Sequence, residues 1–174
     1  MKQLVRRSAK HTLELDNPLL ARLFAHRGIT DRTEIDFSLS NLLPPGPMKG
    51  LSTAANVLAT AVIDGRKIII VGDFDADGAT STALMVHCLR VCKADVEYLV
   101  PNRFEFGYGL TPEIVAVAAL RKPALIVTVD NGISSVEGVK SANDLGIKTI
   151  ITDHHLPGAL LPAAAAIVNP NQAG

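Results

Sequence analysis

From Lys67 onward the chain alternates short apolar runs with longer mixed segments. Ile68-Ile69-Ile70-Val71 contains no polar position, Leu125 to Val129 has only Thr128, and Lys148 to Ile151 is β-branched after its lysine. A strand with one wet face alternates polar and apolar side chains, so runs without alternation predict strands covered on both faces. The predicted order is strand 67–72, helix 79–92, strand 95–100, helix 111–121, strand 125–129, helix 135–145 and strand 148–152, with Ala166-Ile167-Val168 as a last strand. Right-handed crossovers make a doubly wound, mainly parallel α/β sheet the economical topology.

The first fifty residues have a different texture. Asn17-Pro18 supplies an N-cap and a first helical position, and Gly28 stops the segment Leu19 to Arg27. Asp31 with Glu34 three residues later forms a capping-box pattern ahead of Ile35, Phe37 and Leu39, which predicts a second short helix. Leu43-Pro44-Pro45-Gly46-Pro47 then breaks regular structure. The expected division is a small helical N-terminal extension over residues 1–50 and an α/β domain over residues 51–174. Ser52 is expected to cap a helix reaching Ile63, with Ala54, Leu58, Ala61 and Val62 as its apolar stripe.

Composition narrows the class. A chain of 174 residues that is 48% hydrophobic can bury a substantial core. Seventeen basic and seventeen acidic residues cancel, so bulk charge carries no nucleic-acid signature. Only Met1 to Leu13 is one-sided, with Lys2, Arg6, Arg7, Lys10 and His11 and no acid; it fits a solvated terminus or an arm that touches phosphate. No run of about eighteen apolar residues and no signal-peptide core is present, so a cytoplasmic location without membrane contact is expected. Cys88 and Cys92, four apart on one predicted helix, are expected to be buried as small apolar groups rather than to join His87 in a zinc site.

Candidate chemistry lies where apolar runs end: Gly72-Asp73-Phe74-Asp75-Ala76-Asp77-Gly78, Thr128-Val129-Asp130-Asn131-Gly132 and Thr152-Asp153-His154-His155. In a parallel sheet all three emerge at the carboxyl edge, where open α/β sheets hold ligands. The five carboxylates and two imidazoles of these stretches repel or desolvate one another unless cations neutralise them, so metal-assisted chemistry is expected. A calcium-binding EF-hand is excluded, because counting from Asp73 puts Leu84 where a bidentate Glu is required. A phosphatase of the haloacid dehalogenase type needs Thr or Val two residues after its second Asp, and neither Asp73/Asp75 nor Asp75/Asp77 supplies it. Alternate residues on an extended segment face the same side, so Asp75 and Asp77 are expected to reach a metal pair while Gly78 releases the chain into the next helix. Asp130 is placed to bridge two divalent ions about 3.5–4 Å apart. One of His154 and His155 can ligate while its neighbour faces phosphate, and imidazole favours Mn²⁺ or Zn²⁺ over Mg²⁺. Arg103 fits a surface position and a phosphate contact equally well.

Taken in order, these motifs, with Pro101-Asn102-Arg103 and Gly107-Tyr108-Gly109-Leu110 between them, closely resemble the DHH phosphoesterase superfamily over residues 15–172. Within it the likeness is to the bacterial single-strand-specific 5′→3′ DNA exonucleases. The resemblance implies Asp75, Asp77, Asp130 and His154 as ligands of two Mn²⁺ or Mg²⁺ ions. Asp73 and Asp153 would support them, His155 would be catalytic and phosphate-facing, and Arg103 would contact DNA. Single-stranded DNA is the implied substrate, in repair and recombination, with room for single-strand-binding protein and a helicase as partners. Phe106 departs from the family pattern, which has an acidic residue there, although Glu105 stands beside it. A fourth motif with a further ligand Asp, a second DHH-associated domain and a nucleic-acid-binding module are not among the 174 residues. The chain therefore reads as an N-terminal fragment, incomplete at its C-terminus, with negligible activity expected of it alone. A small-substrate DHH phosphatase would carry a ligand His near Ile69, Ile70 or Val71, and a non-catalytic DHH scaffold would have degraded motifs; this sequence leans against both.

Overall fold

The computed structural model describes Ser8 and residues 11–172, with the side chains of Arg103 and Phe104 outside that description. Lys2, Arg6, Arg7 and Lys10 also lie outside the described residues. The chain divides into two compact units, Met1–Pro44 and Pro45–Gly174.

In the first unit, α1 (Pro18–His26) starts where Asn17 Oδ1 accepts from the N–H groups of Leu19 at 3.0 Å and Leu20 at 3.2 Å. Gly28, at φ 87°, closes it. The second predicted helix is a single 3₁₀ turn, Arg32–Ile35, held by the Asp31/Glu34 capping box. It stops because Asp36 draws the Ser38 N–H to its own carboxylate at 3.0 Å, an alternative to continuing the helix. Another 3₁₀ turn, Leu39–Asn41, follows.

The second unit opens with α2 (Leu51–Ile63), capped by Gly50 at φ 79° rather than by Ser52, which lies inside its first turn. Glycine is required at position 50 twice over: by its positive φ, and because a Cβ would overlap the Ile167 carbonyl. Then come β1 (Ile68–Val71), α3 (Ala76–Val91), β2 (Val96–Leu99), α4 (Arg103–Phe106), α5 (Pro112–Ala119), β3 (Leu125–Val129), α6 (Val136–Asp144), β4 (Lys148–Thr152) and β5 (Ala166–Val168). The short α4 is not legible in the pattern of the sequence; Phe106 at its end leans on the core, which gives an apolar residue a structural use at this position.

All strand pairs are parallel, in the order β2-β1-β3-β4-β5. The chain leaves β1 on one side to form β2 and crosses to the other side for β3. The strand order therefore reverses between β1 and β3, and a crevice opens there at the carboxyl edge. Successive residues of the central strands feed opposite cores. Ile68, Ile70, Val127 and Val129 pack with α2 and α3, whereas Ile69, Val71, Ile126 and Ile151 pack with α5 and α6. Two dry faces explain why β1 tolerates no polar residue.

The buried side of α3 is made by Gly78, Thr82, Val86 and Leu89. Cys88 lies two residues from Val86, about 200° around the helix, and both Cys88 and Cys92 are exposed free thiols, which overturns their expected burial.

Candidate metal centre

The first acidic stretch is not an extended segment. Helix α3 begins at Ala76, earlier than its expected start, and Asp75 is its N-cap, with Oδ1 accepting from the Gly78 N–H at 2.9 Å. Asp77 stands in the first turn. Capping an otherwise unpaired N–H and placing carboxylates at the positive end of the helix both favour this arrangement over a straight run. The expectation of alternate aspartates facing one side of a strand is therefore corrected: both are presented by a helix N-terminus. Gly78 does not release the chain. It lies within α3, where a Cβ would overlap the Asp73 backbone, and a Cβ on Gly72 would overlap Thr82 Oγ1. These two glycines let the first turn of α3 sit on the end of β1.

Across the crevice, Asp130 leaves β3 in a left-handed conformation, φ 62°, and its N–H donates to Thr152 O at 3.0 Å. It is 7% exposed. Oδ1 lies 2.8 Å from His154 Nε2, while Oδ2 is buried with no hydrogen-bond partner among the described residues. Burial pushes this carboxyl above the ordinary carboxylate range; the His154 hydrogen bond opposes the rise, and the nearby charge of Asp75 adds to it. Asn131, 2% exposed, donates from Nδ2 to Val71 O at 3.1 Å and Val129 O at 2.9 Å, tying the ends of β1 and β3 together beyond their ladder.

Behind the histidines, Asp153 accepts four hydrogen bonds: Oδ2 from Ile133 N–H at 2.9 Å, and Oδ1 from His154 N–H at 2.7 Å, His155 N–H at 3.0 Å and His155 Nδ1 at 2.7 Å. Burial acts to raise its pKa, but these hydrogen bonds outweigh burial and hold it below the ordinary value. The contact with Asp153 in turn raises His155 above the usual imidazole range, with Asp130 and Asp73 adding to the shift and burial opposing it. The Tyr108 hydroxyl lies 3.2 Å from His155 Nδ1, 3.3 Å from its Nε2 and 3.5 Å from Asp130 O. Asn169 and Asn171 donate to the His155 and His154 carbonyls. The roles of Tyr108, Asn131, Asn169 and Asn171 escape sequence reasoning. Their partners are backbone atoms or residues distant in the chain; Tyr108 and Asn131 stand inside recognisable motifs, Gly107-Tyr108-Gly109-Leu110 and Asp130-Asn131-Gly132, but neither motif discloses what the side chain bonds.

Most of the expected site residues thus converge on one sheet edge. Ligand atoms of Asp130, His154 and His155 lie within 4.8 Å of one another, so His155, expected to face phosphate, belongs to the tightest group among the described residues. Asp77 lines a shallow cleft with Ser81, Asp130, Thr152, Asp153 and His154. Asp75 acts electrostatically on Asp130, and Asp73 on His155. The side chain of Arg103 lies outside the described residues. A buried carboxylate oxygen without a hydrogen-bond partner among the described residues, a second carboxylate raising its pKa and two imidazoles at hand form a donor set that fits divalent cations.

Residues 67–174 match the DHH family, N-terminal domain. The chain belongs to the DHH family. The DHH chain is 54% identical, over 174 residues, to the single-stranded-DNA-specific exonuclease RecJ of Salmonella typhimurium, a match covering 98% of this chain and 30% of that protein. A crystal structure of exonuclease RecJ bound to manganese superposes with a TM-score of 0.68 at 40% identity, over 74% of this chain and 33% of that one. RecJ of Thermus thermophilus in complex with Mn²⁺ gives a TM-score of 0.64 at 35% identity, over 88% of this DHH chain and 21% of its own. The DHH chain therefore spans about a third or less of the length of these relatives.

Proposed function

We propose that this chain supplies the metal-holding domain of a single-strand-specific 5′→3′ DNA exonuclease dependent on two Mn²⁺ or Mg²⁺ ions. The observation that carries the reading is the buried Asp130 carboxylate at the point where the strand order reverses, its Oδ2 without a hydrogen-bond donor among the described residues and the Asp75 carboxylate acting on it. A carboxylate in that state is costly unless a cation completes it. Bound there, a pair of ions supplies an activated water and polarises phosphoryl oxygens for in-line displacement.

The chain's residues divide the remaining work. Asp130 would hold the ions together with Asp75 and Asp77 from the α3 N-terminus and His154 from the β4 end. Asp73 and Asp153 support them. His155, its Nδ1 engaged by Asp153, would turn its other ring nitrogen toward a phosphate oxygen. Arg103, at the start of α4 beyond β2, contacts a neighbouring phosphate. The substrate proposed is single-stranded DNA, on the strength of relatives named for it. The proposed setting is cytoplasmic DNA repair and recombination beside a helicase and single-strand-binding protein. Among the described residues no helix is long and apolar enough to cross a membrane.

The test is release of mononucleotides from a 5′-labelled single strand by the full-length protein. Dependence on Mn²⁺ or Mg²⁺, little release from blunt duplex and loss of turnover by orders of magnitude in Asp77→Ala are expected. Equal rates in Asp77→Ala would contradict the reading. Arg103→Ala should lower the salt dependence of DNA binding.

A further inference from the structure

Every backbone polar group of the His154-His155 dipeptide is gripped by a side chain. Its two N–H groups donate to Asp153 Oδ1 at 2.7 and 3.0 Å. Its two carbonyls accept from asparagine amides beyond β5: His155 O from Asn169 Nδ2 at 2.9 Å, and His154 O from Asn171 Nδ2 at 2.6 Å. Backbone in a surface loop is ordinarily left to water. Here Asn169 is 1% exposed, and its Oδ1 accepts from the Asn171 N–H at 2.7 Å, so the first asparagine fixes the second. Pro170 between them limits the backbone and brings no N–H of its own to satisfy. The parallel pairing of β5 with β4, extended by Asp153 N–H donating to Val168 O at 3.1 Å, delivers Asn169 to this place.

We infer that Asn169 and Asn171 are positioning residues for the two imidazoles. By holding both carbonyls they set the directions in which the His154 and His155 side chains leave the backbone, toward Asp130. The consequence for metal affinity rests on the metal-centre reading proposed above. A ring oriented before an ion arrives loses less freedom on binding, which is why hydrogen bonds behind a ligand change affinity. Strand β5 then does more than cover an edge of the sheet: it carries the clamp.

Gln172 provides a control within the same segment, because its Nε2 donates to Ile167 O at 3.0 Å and more weakly to Asn169 O at 3.5 Å, leaving both asparagine side chains and, among the described residues, both histidines unbonded by it. The experiment compares the unaltered chain with Asn169→Ala, Asn171→Ala, Asn171→Gln and Gln172→Ala. Asn171 is exposed, so its variants keep the test decisive if Asn169→Ala fails to fold. Two quantities are read: the histidine ring ¹⁵N–¹H resonances of the metal-free chain, and the Mn²⁺ dissociation constant by electron paramagnetic resonance. Asn171→Ala should move the His154 ring signals toward those of a free imidazole and weaken Mn²⁺ binding roughly tenfold. Asn171→Gln, which keeps an amide donor, should recover part of both, and Gln172→Ala should change neither. Unaltered ring signals in the asparagine variants, or equal shifts in Gln172→Ala, would overturn the positioning role. Absence of Mn²⁺ binding in every chain would sink the metal reading instead, and the metal-free ring signals would still decide the clamp.

Discussion

Asp130 meets His154 through a single carboxylate oxygen, Oδ1 to Nε2 at 2.8 Å, and leaves Oδ2 buried and unpartnered among the described residues. Without a cation this acid is a liability to the fold, since burial raises its pKa and Asp75 aggravates the rise. Asp130→Asn removes the charge and keeps the shape. It is therefore expected to raise the thermal midpoint of the metal-free chain, by about 2–4 °C for each ~1 kcal/mol relieved. A lower midpoint in differential scanning calorimetry would show that the carboxylate is already compensated.

The pair behind the ligands should give stability a defined pH window. Asp153, held below its ordinary value of 3.8, contributes stability above that value and loses it as pH falls through the lowered one. His155, held above 6.5, contributes fully below that value and loses it as pH climbs through the raised one. The metal-free chain should therefore lose stability as pH rises from 6.5 through the raised value, and His155→Gln should flatten that slope. Urea unfolding across a pH series measures this; an unchanged slope in His155→Gln would assign the titration to another group.

Asp153 is the most heavily bonded side chain of the site, and its four donors lose their partner together in Asp153→Ala. The expected cost is about 3 kcal/mol or more, the range for breaking a buried charged cluster. A loss below about 1 kcal/mol in urea unfolding would place those donors in water instead.

Gly78→Ala is expected to destabilise the chain by about 1–3 kcal/mol, because the added methyl meets the Asp73 backbone, which cannot swing aside. Gly72→Ala meets Thr82 Oγ1, a side-chain atom. Its cost should therefore shrink when combined with Thr82→Ala, whereas no such partner exists for Gly78. A double-mutant cycle without coupling between positions 72 and 82 would disprove the close approach of α3 to β1.

The legibility of this structure varies with the range of the forces involved. Ile68-Ile69-Ile70-Val71 discloses a strand with two dry faces because burial acts directly on composition, and Thr128-Val129-Asp130 discloses a strand end because a lone carboxylate interrupts such a run. The start of α3 is obscured because Asp75 serves both as a strand-end acid and as an N-cap, and only the tertiary fit of Gly72 and Gly78 decides between them. Cys88 is misplaced because a mixed helix such as α3 has no clear stripe until its buried face, Thr82, Val86 and Leu89, is known. Asn169 and Asn171 are silent for a different reason: they act on backbone carbonyls fourteen and seventeen residues away, which impose no pattern on the intervening sequence.

Thermal unfolding across a Mn²⁺ series tests the metal centre most directly. A cation that binds only the folded chain stabilises it by mass action, about 2.7 kcal/mol at a hundred times the dissociation constant. The chain should show a dose-dependent rise in midpoint that is reduced in Asp77→Ala and absent in Asp130→Ala. An equal rise in the unaltered chain and Asp130→Ala, or no rise in either, would contradict a metal centre built around Asp130.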